Sequence, residues 1–146
     1  MAPGRSAAGD DSAQAIVLNP ANLAYLPGGE LRWTGVRCPD TRKVGCGHSF
    51  DAAIPLLWGL STGLRVDYVI PPDGLDGPGF PYNGLDFGWI TWAVGYKFSD
   101  KWAVGGSVQR SYSTNSYLDG LFGVTAGATL RPNTHFGFSL VAHASR

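Results

Sequence analysis

Residues 86–111 read DFGWITWAVGYKFSDKWAVGGSVQRS, and the alternation inside this stretch decides the fold. In its first arm Ile90, Trp92, Val94, Tyr96 and Phe98 recur at every second position, with Trp89, Thr91, Ala93, Gly95 and Lys97 between them. A strand sends successive side chains to opposite faces, whereas a helix would need a repeat of about 3.6 residues. After the polar turn Ser99, Asp100, Lys101, the second arm alternates Trp102, Val104, Gly106 and Val108 with Ala103, Gly105, Ser107 and Gln109. A hairpin through that turn puts both bulky rows on one side and leaves the other small and polar.

A soluble antiparallel sheet buries its apolar side and turns long charged residues to water. Here the second face is Gly, Ala, Ser and Thr, which suits a crowded or water-filled lumen, so the bulky rows are expected to face lipid. Each arm has roughly 10 residues, enough at about 3.4 Å per residue and a tilt near 40° to cross a hydrocarbon band of about 25 Å.

The same rule runs outward through the chain. Strands are predicted over Glu30 to Arg37, Phe50 to Trp58, Gly63 to Ile70, the two arms above, Phe122 to Leu130 and Phe136 to Ala142. Pro55 predicts a bulge or weak pairing in the second of them. Short turns at Gly59 to Thr62, Ser99 to Lys101 and Arg131 to Thr134 alternate with long loops at Cys38 to Ser49, Pro71 to Leu85 and Tyr112 to Asp119. Outer-membrane barrels show that alternation, with short turns on the periplasmic side. Trp33, Trp58, Tyr96, Phe98, Trp102 and Phe136 are expected near the short-turn end, and Tyr68, Tyr112, Tyr117 and Phe122 near the loop end, as two aromatic girdles. The fold class is therefore all-β: an antiparallel meander of about seven strands forming part of a transmembrane β-barrel, with a short amino-terminal helical segment. Single-chain barrels have even strand numbers, so the front part of a longer barrel, or a protomer completed by another, is expected.

Composition agrees. Among 146 residues, Lys and Arg number 11 and Asp and Glu number 11, so no basic excess draws in nucleic acid. Charged residues are 15% of the chain, with 21 glycines, and the mean hydropathy of −0.03 is that of strands apolar at alternate positions. No run of 18 apolar residues supplies a membrane helix. The start, MAPGRSAAGDDSAQ, has no apolar stretch behind Arg5 and is not a secretory signal peptide, so export would need a signal outside this sequence.

Two organisational units follow: a leader with a short helix over residues 1–29, and an incomplete antiparallel barrel portion over residues 30–146. Asn19 followed by Pro20 predicts a helix start, with Asn as cap and Pro in the first turn, ending before Pro27, Gly28 and Gly29. Such a segment is no barrel strand, and must lie in the lumen, under the barrel or against the first strand. Arg65, Asp67, Lys97, Gln109 and Arg131 share the small-residue face, where they line a channel, bind the amino-terminal segment through Asp10 or Asp11, or merely neutralise one another. Cys38 and Cys46 bracket a polar stretch and either bridge in an oxidising compartment or remain thiols. His48, His135 and His143 have no metal-ligand spacing, and no GxSxG, Walker or dinucleotide motif exists, so no catalytic residue, metal or cofactor is expected and the chain is not read as an enzyme.

Asp10, Asp11, Ala15, Ile16, Asn19, Pro20, Ala21, Leu23 and Ala24, followed directly by the first strand, resemble the amino-terminal signature of FadL-type outer-membrane transport barrels. The resemblance implies that this segment lies inside the barrel as a hatch and that hydrophobic molecules such as long-chain fatty acids pass through. LRVD at Leu64 to Asp67, ITW at Ile90 to Trp92, QRSYS at Gln109 to Ser113, LDG at Leu118 to Gly120, and Arg131 with Pro132 resemble barrel-like regions that precede a signal-peptide peptidase A-type serine protease. That likeness implies a catalytically silent membrane anchor. The leading expectation is passage of hydrophobic small molecules across a bacterial outer membrane, with the lipid bilayer, a hydrophobic solute, and further strands or a second protomer as partners. A soluble antiparallel protein that binds through its sheet edge is the third reading.

Overall fold

The computed structural model describes residues 8–36, 46–70, 87–113, 116–133 and 135–146. An α-turn at Ala15–Leu18 and a 3-10 turn at Pro20–Tyr25 precede seven strands: β1 (Glu30–Val36), β2 (Cys46–Pro55), β3 (Leu60–Ile70), β4 (Phe87–Lys97), β5 (Trp102–Ser113), β6 (Phe122–Leu130) and β7 (Phe138–Ser145). They form one sheet in sequence order, every neighbouring pair antiparallel. Among the described residues the sheet is not closed: β1 pairs only with β2, and β7 only with β6.

The register aligns one cross-strand row of Leu31, Ala52, Leu64, Trp92, Val108, Val124 and Ala144 beside another of Glu30, Ala53, Gly63, Ala93, Ser107, Thr125 and His143. Neighbouring rows face opposite ways. On the bare face Leu31 is 81% exposed and Trp92 54%, while Ala93 on the other face is 0%. What covers that second face is the amino-terminal segment, whose Ala13, Ala15, Ile16, Ala21 and Leu23 are buried. Burying Ile16 and Leu23 stabilises the docked segment by about 1.5–3 kcal/mol for each side chain.

Close approach depends on missing side chains. Gly95, Gly105 and Gly127 are cross-strand partners on β4, β5 and β6 and lie directly beneath the 3-10 turn. A Cβ on Gly95 would stand 2.8 Å from the Pro20 carbonyl oxygen and 2.9 Å from the Ala24 nitrogen. One on Gly105 would strike the Pro20 and Ala21 backbone. The small-residue face is thus small because backbone packs on it, not because water fills it there.

Several boundaries differ from the sequence reading. β2 begins at Cys46 rather than Phe50 and stops at Pro55, so Leu56 and Trp58, expected in a strand, lie in the connection to β3. Pro55 produces no bulge: it ends the strand opposite Ser61, where its missing N–H falls at the margin of the ladder. The turn expected at Gly59 to Thr62 is centred instead on Leu57–Gly59, with Trp58 at φ 58° and Gly59 at φ 77°. β3 accordingly starts at Leu60, β5 runs on to Ser113, and β7 is shifted to Phe138–Ser145. Trp33, Phe50, Val66, Ile90, Arg110 and Phe122 share one cross-strand row.

Candidate functional site

The chemistry-bearing side chains converge where the amino-terminal segment meets the sheet. Asn19 is the cap of the 3-10 turn, extended at φ −160°, with its Oδ1 accepting from the Ala21 N–H at 3.2 Å. Pro20 follows as the first residue of the turn, where its lack of an N–H removes nothing. The Asn19 amide then reaches across to the sheet, Nδ2 donating to Thr129 Oγ1 at 2.8 Å and to Ser139 Oγ at 3.0 Å. Thr129 donates in turn to Asn22 Oδ1 at 2.7 Å. Asn19, Asn22 and Thr129 are buried, so this network pins the turn to β6 and β7 through satisfied polar groups.

Two further contacts hold the start of the segment. Glu30, the first residue of β1, accepts from the Ala13 N–H at 2.7 Å and supplies the α-turn with a carboxylate at its amino end. Asp10 takes the Ser12 N–H at 3.1 Å and the Ser12 hydroxyl at 2.5 Å, closing a local turn.

Just past the end of β6 stands a bidentate charged contact. Arg131 forks onto Asp11, Nη1 to Oδ2 at 2.7 Å with a closer Nη2 to Oδ1 contact, and donates to the Ala8 carbonyl oxygen at 3.0 Å. Its guanidinium also lies 4.0 Å over the Tyr25 ring. Hydrogen bonding to Asp11 holds Arg131 above its usual range. Burial pushes the Tyr25 phenol up, against the pull of Arg131, and among the described residues its Oη has no hydrogen-bond partner. A cleft of about 750 Å³ opens beside this pair, bordered also by Lys101, His135 and Phe136.

A second charged group lies on the same face between β2 and β3. Arg65 binds Asp67 with two 2.7 Å hydrogen bonds and Asp51 with one of 3.1 Å. Asp51 Oδ2 and Ser49 Oγ are buried, with no hydrogen-bond partner among the described residues.

Of the residues singled out from sequence, Asp11 and Arg131 meet, Asn19 and Pro20 dock, and Arg65 and Asp67 pair with each other. Lys97 is turned to Asp100, 3.6 Å away at the β4–β5 turn, and Gln109 lies over Gly123, where a Cβ would stand 2.6 Å from its Nε2. Cys46 is disulfide-bonded, and Cys38 lies outside the described residues. Asp51, Asn22, Tyr25 and Glu30 were not foreseen. Asp51 had a signal, since it alternates with Phe50 and Ala52 onto the small-residue face, but only register shows Arg65 opposite it. No protein-family model, curated protein or solved structure matches this chain.

Proposed function

We propose that this chain is part of an outer-membrane β-barrel that passes hydrophobic small molecules, with its bulky face in lipid and its amino-terminal segment as a hatch on the inner side. One observation carries the lipid assignment. In the middle of the bare face, the half-exposed Trp92 donates its indole N–H to Thr62 Oγ1 at 2.9 Å, and that hydroxyl donates to the Ala93 carbonyl oxygen at 3.1 Å. A face meeting water has no need of such a relay, whereas hydrocarbon leaves every polar atom to be satisfied within the protein. Tyr112 behaves alike, its hydroxyl crossing Gly88 to reach the Asp67 carbonyl oxygen at 2.9 Å.

Strand length supports the same reading. β4 has 11 residues, which span about 26 Å along the membrane normal at about 3.4 Å per residue and a 40° tilt. Passage of solutes would then require the segment to move, and the unpaired edges of β1 and β7 would be met by further strands or by a second protomer.

The test is quenching of tryptophan fluorescence in phosphatidylcholine vesicles with brominated acyl chains. The refolded chain is expected to be quenched, with Trp92→Phe removing a large share of the quenched signal and Trp89→Phe, on the covered face, removing little. A monodisperse monomer in detergent-free buffer that vesicles leave unquenched overturns the lipid assignment.

A further inference from the structure

We propose that the cleft beside Arg131 is a binding site for an organic carboxylate, and that Asp11 of the amino-terminal segment holds the Arg131 fork as an internal substitute. A guanidinium fork matches a carboxylate through two parallel N–H···O bonds, and Asp11 fills that position here. The Asp11 side chain is 36% exposed, so an anion from solution can compete for the fork. The adjoining volume of about 750 Å³ is of the size that holds small organic ligands.

The lining gives the rest of the ligand's chemistry. Lys101 borders the cleft and, among the described residues, has no ion pair on its ammonium group, while the exposed Asp100 carboxylate also borders it, so Arg131, Lys101 and Asp100 leave one net positive charge for an incoming anion once Asp11 is displaced. The rings of Tyr25 and Phe136 offer apolar walls to the ligand's body. Charge and walls together select a monocarboxylate with a small apolar portion rather than a neutral solute.

Displacing Asp11 would also undo the contact that ties residues 8–11 to the end of β6, leaving the Glu30–Ala13 hydrogen bond, the Asn19 network and the buried Ile16 and Leu23 to hold the rest of the segment. Binding of ligand and release of this stretch are then two sides of one equilibrium, each favouring the other. This consequence rests on the hatch reading, but carboxylate binding itself does not require a bilayer.

The experiment titrates the whole chain, in detergent, with butanoate and with the neutral butanamide. Butanoate is expected to bind and butanamide not. Asp11→Ala leaves the fork in place while removing the competitor, and should tighten butanoate binding about tenfold, as expected when a competing bound state is removed. Butanoate should also raise amide exchange around Ser12 to Ile16 in the unsubstituted chain. Equal binding of the two probes, or no tightening in Asp11→Ala, overturns the site. A chain that selects butanoate yet fails to enter vesicles leaves this site standing and removes the lipid assignment instead.

Discussion

The two faces of β4 share one backbone and have opposite fates. Ile90 and Trp92 are about half exposed, whereas Thr91 and Ala93 between them are buried. On one side the limit is size: the amino-terminal segment comes so close at Gly95, Gly105 and Gly127 that a methyl group would collide with it. On the other side bulk is free and charge is scarce, Arg110 being the charged residue among the large apolar rows. A strand therefore carries two unrelated selection rules, and each can be broken without touching the other.

The sharpest break is a charge on the bare face. Val108→Arg should destabilise a bilayer-embedded chain by about 2–4 kcal/mol, measured by denaturant unfolding in vesicles. If the bare face instead met water, the same substitution would shift stability by only about 0.5 kcal/mol. Next in size is bulk on the covered face. Gly105→Val should cost about 1–3 kcal/mol and release the amino-terminal segment, seen as faster amide exchange over Ala21 to Ala24, while the bare-face neighbour Gly106→Val leaves that exchange unchanged.

The smallest effect is expected at Tyr25. Its hydroxyl has no partner among the described residues and its ring carries the contact to Arg131, so Tyr25→Phe should leave stability nearly unchanged. Burial raises the phenol pKa above the ordinary 10.0, which means the folded state holds this proton more tightly than the unfolded chain. The resulting contribution is complete below pH 10.0 and fades as pH climbs from there through the raised folded value. Ultraviolet titration should show one tyrosine ionising late in the unsubstituted chain, and that late step missing in Tyr25→Phe.

Alternation made the faces and the strand count readable from the chain alone, because period-two spacing at Ile90 to Phe98 and at Phe122 to Leu130 has no helical counterpart. Asn19 with Pro20 likewise marked the start of the 3-10 turn through local cap chemistry. Strand ends were less legible. The Leu56, Leu57, Trp58 run continues the apolar spacing of β2, yet Trp58 takes a left-handed conformation that its side chain gives no hint of. Partners across the sheet were least legible, since Asp51 with Arg65 and Thr129 with Asn19 are joined only by register and by docking of a distant segment. The small face was expected to line a crowded or water-filled lumen, and its glycines Gly95, Gly105 and Gly127 lie beneath the backbone of the amino-terminal segment.

Strand direction has one more consequence. Each of the seven strands reverses the one before it, so β1 and β7 point the same way along the sheet. Joined directly to each other, they would meet in a parallel seam, with the slanted bonds and slightly weaker pairing of that geometry. Inserting an odd number of strands between them lets every seam of the ring stay antiparallel, and two copies arranged head to tail about a common axis would carry two parallel seams.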